Sequence, residues 1–173
     1  MKSRILIGRF SPIHKGHQAI IDEMIIDGAC NSEKPPIIIT GGSNKTDDRH
    51  PYTSDEVAHM IHLVYPNVTV HSCPDYENWD EWLDAIQPLI PQNAVIYINN
   101  KEQDRLSNFT ARGKIYTHAF YNDLWYDLKY ETKQVTFPKL FKVDHINATD
   151  IRANTLQSYS KLHPKVYEYL CSR

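Results

Sequence analysis

Short apolar runs alternate with longer amphipathic stretches along most of this chain. A continuous apolar run of about four to eight residues is typical of a buried strand, and apolar positions three and four apart are typical of a helix. The runs predict strands at residues 5–7, 36–40, 68–70 and 94–98. Helical spacing, with glycine, proline or capping residues at the ends, predicts helices at residues 16–28, 54–65, 79–90, 149–156 and 163–170.

The order of these elements predicts the fold class. Strands that alternate with helices require crossover connections, so we expect an α/β domain with a mostly parallel sheet. Residues 101–142 are harder to interpret, because they contain one predicted strand, 114–117, and an aromatic cluster. The cluster comprises Phe120, Tyr121, Trp125 and Tyr126. Its composition fits a core, a lid or a subunit contact.

Composition, net charge and cysteine content further restrict the class of protein. The chain has 173 residues, of which 41% are hydrophobic and 23% charged, and these proportions predict one folded domain over residues 1–173. A formal net charge of −2 argues against a general binder of nucleic acid or of a membrane surface, since either would carry a basic excess. The apolar runs are too short for a membrane span. Cys30, Cys73 and Cys171 form no paired motif, which favours a reducing, cytoplasmic location.

The turn between the first predicted strand and the first predicted helix carries the strongest chemical signal. In a doubly wound sheet this turn faces the ligand crevice, and the N-terminus of the following helix favours an anion. His14 and His17 lie on either side of Gly16 and can point the same way. Arg9 and Lys15 add two cations that would repel each other without an anionic partner. The turn therefore predicts a phosphate site, the alternative being an ordinary basic loop.

Two segments of this turn resemble a known family. Residues 14–17, HKGH, resemble the HxGH motif of the nucleotidyltransferase superfamily. Residues 8–12, GRFSP, resemble the GRFQP-like run of nicotinamide mononucleotide (NMN) adenylyltransferases of the archaeal type, which also occur fused to Nudix hydrolases; Ser11 stands where Gln is usual. The resemblance implies a Rossmann-like, doubly wound, mostly parallel sheet with helices on both faces.

A second motif lies near the end of the chain. Residues 146–152, INATDIR, resemble the ISSTxxR motif of the family and, more closely, the LNATDIR form of the Nudix-fused branch. Asn147 or Thr149 can cap the following helix. Arg152 follows Thr149 by three residues and so returns to the same side of the helix. Its planar, permanently charged fork suits a phosphate.

Segments in the middle of the chain extend the resemblance. Residues 42–56 resemble the GSA…NPFT..E stretch, although Val57 replaces the Arg that commonly follows the Glu. Residues 74–82 resemble the segment in which a Trp stacks on the pyridine ring, and Trp82 occupies that position. Trp82 also fits the apolar face of a helix, so a core position is the alternative. Residues 99–104 lie where the family holds adenine and ribose.

The resemblance implies transfer of AMP from ATP to NMN, which forms NAD and pyrophosphate, with Mg²⁺ entering as the ion bound to ATP and no metal ligand on the chain. It assigns catalysis to His14, Lys15, His17 and Arg152. It assigns ATP binding to Gly8, Arg9, Phe10, Arg49, Asn147 and Thr149. It assigns binding of the nicotinamide nucleotide to Ser43, Asp75, Asn78 and Trp82.

Alternatives to this activity fall into two classes. One is another small-substrate nucleotidyltransferase that uses nicotinic acid mononucleotide or pantetheine phosphate, and the form of the first turn argues against pantetheine. The other is a non-catalytic module that senses nucleotide, which the intact His pair and Arg152 disfavour. His59 and His62 share a helical face near Glu56, but without a third ligand we interpret them as a solvated surface. Family members often assemble, so a homo-oligomer is compatible with the resemblance.

Overall fold

A computed structural model describes residues 1–31, 34–99, 108–117, 121–135 and 146–173. The strands within these residues are β1 (Ser3–Gly8), β2 (Ile37–Gly41), β3 (Thr69–Cys73), β4 (Ala94–Asn99), β5 (Asn108–Ala111), β6 (Lys114–Thr117) and β7 (Glu131–Val135). The helices are α1 (Lys15–Asn31), α2 (Ser54–Val64), α3 (Trp79–Ile86), α4 (Tyr121–Asp127), α5 (Ala148–Ala153) and α6 (Pro164–Ser172). Residues 100–104 of the expected adenine and ribose segment, and Phe120 of the aromatic cluster, lie outside the described residues.

The main sheet is parallel throughout, in the order β3-β2-β1-β4-β7. The central strand β1 places Ile5 beside Ile37 of β2 and Ile96 of β4. Ile5, Ile38 and Ile96 are almost entirely buried, as expected for strands covered on both faces. Strand order reverses its direction at β1, and a doubly wound sheet binds ligands at this switch point. The predicted Rossmann-like sheet is confirmed.

Helices cover both faces of the sheet, as predicted. One apolar layer contains Ile20, Ile21 and Met24 of α1 together with side chains of α2 and α6. The other contains Leu83 and Ile86 of α3 together with side chains of α4 and the β5–β6 hairpin. Burying an aliphatic side chain of this size stabilises a fold by about 1.5–3 kcal/mol. Each face of the sheet therefore has its own core.

Several predicted boundaries differ from the structure. The helix predicted at 79–90 ends at Ile86 and continues as a 3₁₀ turn, Gln87–Leu89, because Pro88 has no N–H for a helical hydrogen bond. The helix predicted at 149–156 runs over Ala148–Ala153, and Asn154 leaves the helical conformation with φ −148° and ψ 69°. The predicted strand 114–117 is confirmed as β6. Strands β5 and β7 and helix α4 were not predicted.

Glu56 ties the start of α2 to the last residue of the sequence. Its carboxylate accepts the Thr53 N–H at 2.8 Å, and the Thr53 hydroxyl accepts the Glu56 N–H at 3.2 Å. Arg173 Nε donates to Glu56 Oε1 at 2.6 Å. These bonds, led by that from Arg173, lower the pKa of Glu56 to about 2. The charged carboxylate therefore stabilises the fold.

Replacing this carboxylate should produce a pH-dependent loss of stability. The folded pKa lies below the usual value of 4.5, so the stabilisation is complete above that value and is lost as pH falls toward 2. We expect Glu56→Gln to lower the free energy of unfolding by about 1–2 kcal/mol at neutral pH. Denaturant titrations from neutral pH downward should show the difference shrinking. Glu168→Gln, on an exposed part of α6, is the control, and a deficit independent of pH would contradict the prediction.

Candidate active site

The carboxyl ends of the central strands open into a cavity of about 800 Å³. Gly8 at the end of β1, Gly41 at the end of β2 and Cys73 at the end of β3 line it. Ligand crevices of doubly wound sheets lie at this edge. The fold therefore places the predicted phosphate turn at the wall of a cavity large enough for small-molecule ligands.

Phe10 shapes the turn that follows β1. Its backbone has φ 51°, and its ring is buried. A Cβ at Gly8 would approach the Phe10 ring to 3.1 Å, so glycine leaves room for that ring. The Phe10 ring lies 4.5 Å from the His17 ring, centroid to centroid. The Phe10 ring thus packs against the His17 imidazole, and Phe10 also lines the cavity.

His14 and His17 form a stacked pair at the cavity wall. Their ring centroids are 3.8 Å apart with planes 23° apart. The Gly16 N–H donates to His14 Nδ1 at 3.1 Å, and the His14 N–H donates to His17 Nδ1 at 3.3 Å. A neutral imidazole has one accepting and one donating nitrogen. Since Nδ1 accepts in both rings, Nε2 carries the proton and is the hydrogen-bond donor in each.

Arg152 joins the second motif to this turn. Its Nη1 donates to the backbone carbonyl of Ser11 at 2.6 Å, across 141 residues of sequence. Its Nη2 lies 3.4 Å from Thr149 Oγ1. Asn147, rather than Thr149, caps α5 by accepting the Asp150 N–H at 2.8 Å. The two motifs meet as expected, although Asn147, Thr149 and Arg152 lie beside the turn and are not among the described residues that line the cavity.

Three residues expected at the nicotinamide nucleotide, Asp75, Asn78 and Trp82, also line the cavity. Trp82 is half-buried and meets Trp79 edge-on, with ring centroids 5.3 Å apart. Asp75 and Asn78 lie on the same wall. Asn78 Oδ1 accepts the Glu81 N–H at 2.9 Å, so its carbonyl oxygen caps α3. The Trp82 ring therefore faces the cavity while its neighbours on α3 pack into the core.

Three other predicted site residues lie away from this cavity. Ser43 donates its N–H to the Cys73 carbonyl at 3.3 Å and lines a small separate cleft. Arg49 is exposed, and its backbone carbonyl accepts the Ser11 hydroxyl at 3.5 Å. Lys15 is the first residue of α1 and is half-buried. The structure brings none of these three side chains to the cavity wall.

Two further residues near the turn, Lys45 and His50, are not among the site residues predicted from sequence. Lys45 lines the cavity and pairs with Asp75 Oδ2 at 3.1 Å. Arg9 Nη2 approaches the same carboxylate oxygen at 3.5 Å, and Arg9 Nη1 lies 3.0 Å from His50 Nε2. His50 lies within residues 42–56, which resemble the GSA…NPFT..E stretch. That resemblance is the sequence signal that could have identified it as a site residue. The cavity mouth thus holds two cations around one carboxylate.

These groups favour the binding of an anion. Two imidazole N–H donors, Arg9 and Lys45 surround the cavity, and charge-assisted hydrogen bonds are well suited to phosphate oxygens. Burial raises the pKa of the Cys73 thiol, so this cysteine is not poised as a thiolate nucleophile. In the described part of the chain no three His, Cys, Asp or Glu side chains are grouped to hold a metal ion. No described helix is long and apolar enough to cross a membrane.

Several known proteins with similar sequences carry the same name. Nicotinamide-nucleotide adenylyltransferases of Halobacterium salinarum and Thermoplasma acidophilum are each 30% identical over 61% of this chain. The matched stretch spans 59% of the length of those two relatives. The enzyme of the same name from Pyrococcus furiosus is 24% identical over 98% of this chain and 83% of its own.

Structural comparison supports the fold. The crystal structure of a macrolide-efflux protein from Streptococcus pneumoniae superposes with a TM-score of 0.53 at 16% identity, over 91% of this chain and 60% of that one. At this identity the likeness concerns the fold alone. The cytidylyltransferase-like family model matches residues 5–154, a range that contains both the His pair and Arg152. The chain therefore belongs to the cytidylyltransferase-like family.

Proposed function

We propose that this chain transfers AMP from ATP to NMN, forming NAD and pyrophosphate. The observation that carries the proposal is the stacked pair of Nε2–H imidazoles at the carboxyl edge of the sheet, with Arg152 bonded to the same turn. The family match and the activity for which the archaeal relatives are named support the choice of reaction. The Trp82 wall of the cavity supports a pyridine nucleotide as acceptor.

The mechanism requires no general base on the chain. The 5′-phosphate of NMN is already ionised at neutral pH and attacks the α-phosphorus of ATP in line. A bond forms between the NMN phosphate oxygen and that phosphorus, and the bond to the pyrophosphate oxygen breaks. Catalysis then depends on positioning and on stabilising negative charge. His14 and His17 donate hydrogen bonds to the phosphates as this charge develops.

The remaining charged groups hold the polyphosphate. Arg9 lines the cavity and Arg152 lies beside the turn, so both offset charge on the β- and γ-phosphates. A role of Lys15 and Arg49 at the phosphates would require their side chains to move, since neither is among the described residues that line the cavity. A divalent cation bound to ATP, which we take to be Mg²⁺, would neutralise part of the phosphate charge. Phosphate oxygens and water would be the ligands of this ion.

The direct test is NAD formation from ATP, NMN and Mg²⁺ by the full chain. NAD is detected by enzymatic reduction to NADH, and nicotinic acid mononucleotide in place of NMN measures the preference between amide and acid. We expect turnover with wild type and its near loss in a His14→Ala, His17→Ala double variant. Binding of ATP without NAD formation by wild type would refute the enzyme and leave a nucleotide-sensing module.

A separate prediction concerns Trp82. An electron-rich indole favours an electron-poor pyridinium ring above its face, so Trp82→Ala should raise the KM for NMN by about tenfold. The KM for ATP should change by less than about twofold. Trp82→Phe should restore most of the affinity for NMN, because phenylalanine also offers a flat ring. Equal changes in both KM values would show that Trp82 serves only the core between Trp79 and Trp125.

A further inference from the structure

His50 is buried next to the exposed guanidinium of Arg9. His50 is 5% exposed, whereas the side chain of Arg9 is 55% exposed. His50 Nε2 lies 3.0 Å from Arg9 Nη1. Arginine stays protonated and can only donate, so Nε2 of His50 is the acceptor. The proton of the neutral ring is then on Nδ1.

Asp47 fixes the other side of the same ring. His50 Nδ1 lies 2.8 Å from Asp47 Oδ1, and the same oxygen accepts the Arg49 and His50 backbone N–H groups at 2.9 Å. The hydrogen bond from the His50 ring is the main cause of the lowered pKa of Asp47. A charged carboxylate on Nδ1 and a guanidinium on Nε2 therefore select the same tautomer.

The backbone around His50 leaves room for the ring. Gly42 has φ +76°, and a Cβ built there would approach His50 Cδ2 to 2.9 Å. A side chain at this position would both strain the backbone and displace the imidazole. His50 therefore occupies a fitted slot between Gly42 and Arg9, and it is oriented before any ligand binds.

We propose that His50 is a positioning residue that holds the Arg9 guanidinium at the mouth of the cavity for the phosphates of ATP. The inference rests on the proposed function for the identity of the ligand. Besides the contact with His50, the ion pair that the structure gives Arg9 among the described residues is the 3.5 Å pair with Asp75, whose carboxylate also meets Lys45. Without His50, Arg9 would be drawn toward Asp75 or into solvent, away from the triphosphate.

Binding of ATP, measured by calorimetry at pH 7.5, separates this role from a structural one. We expect His50→Ala to raise the Kd for ATP by about tenfold and Arg9→Ala by about thirtyfold. His50→Ala added to Arg9→Ala should give no further increase, because the effect passes through Arg9. His50→Gln, which keeps an acceptor near the ε position, should stay within about threefold of wild type. His62→Ala removes a different histidine that bonds the Val68 carbonyl and is the matched control.

Nitrogen NMR tests the same contact without any ligand. Long-range ¹H–¹⁵N spectra should show Nδ1–H for His50 in wild type, and in Arg9→Ala the same tautomer, kept by Asp47, with a changed Nε2 chemical shift because that nitrogen loses its donor. An Nε2–H tautomer in wild type, or additive effects of the two alanine substitutions on the Kd for ATP, would overturn the proposal. NAD formation is scored separately, so ATP binding that depends on His50 without NAD formation would refute the proposed enzyme and retain the role of His50.

Discussion

His17→Ala should lower kcat for NAD formation by about 10²–10³-fold while changing the KM for ATP by only a few-fold. A preorganised donor aimed at developing charge contributes more in the transition state than in the ground state, and removing one such donor has effects of this size. His17 meets that description because its Nδ1 accepts the His14 N–H at 3.3 Å, which places the proton on Nε2, the donor that we propose acts on the phosphates. Steady-state kinetics with ATP varied at saturating NMN measures both constants.

Two controls isolate the chemical role of His17. Its ring packs against His14 and Phe10, so thermal unfolding of His17→Ala is compared with wild type to show that the site still folds. His59→Ala removes a histidine on α2 that packs on Tyr169 and should keep full turnover. If His17→Ala turns over at nearly the wild-type rate, the imidazole pair does not stabilise the transition state.

Local sequence predicted the phosphate turn because its chemistry and its place in the fold coincide. A turn after the first strand of a doubly wound sheet faces the crevice whatever the rest of the chain does. That Arg152 lies near this turn was expected from a motif resemblance, since no periodicity links residues so far apart, but its bond to the Ser11 carbonyl was not predicted. The core strands were predictable for the same local reason, because both faces are buried and their runs are apolar.

The strand and the loop contacts that were not predicted depend on tertiary structure. β7 has the sequence ETKQV and only one fully buried residue, Val135, so it carries no apolar run, and its pairing with β4 defines it as a strand. The loop after β2 carries Ser43, Lys45 and Arg49, and its path decides which of them meets the cavity. Lys45 lines the cavity and pairs with Asp75, whereas Ser43 and Arg49 are not among the described residues that line it. Spacing along a loop contains no information on this choice.

Arg152→Ala should lower kcat/KM for ATP by about 10²–10³-fold, since it removes the charge-assisted contact that we propose between this side chain and the phosphates. It should also lower the free energy of unfolding by about 1–2 kcal/mol, because the Ser11 carbonyl loses its donor. Arg152→Lys keeps the charge without the planar fork and cannot bond Ser11 and a phosphate together, so it should recover only about tenfold.

The matched control for Arg152 is Arg112→Ala, which removes a guanidinium bonded to Asp84 and Gln87 at the β5–β6 turn. Urea titrations and ATP-dependent kinetics on the three variants separate the structural contribution from the catalytic one. If Arg152→Ala keeps the wild-type kcat/KM and loses only stability, the second motif serves only to hold the turn in place. If both Arg152 variants lose kcat/KM and Arg112→Ala does not, the guanidinium of Arg152 both holds the turn in place and binds the nucleotide.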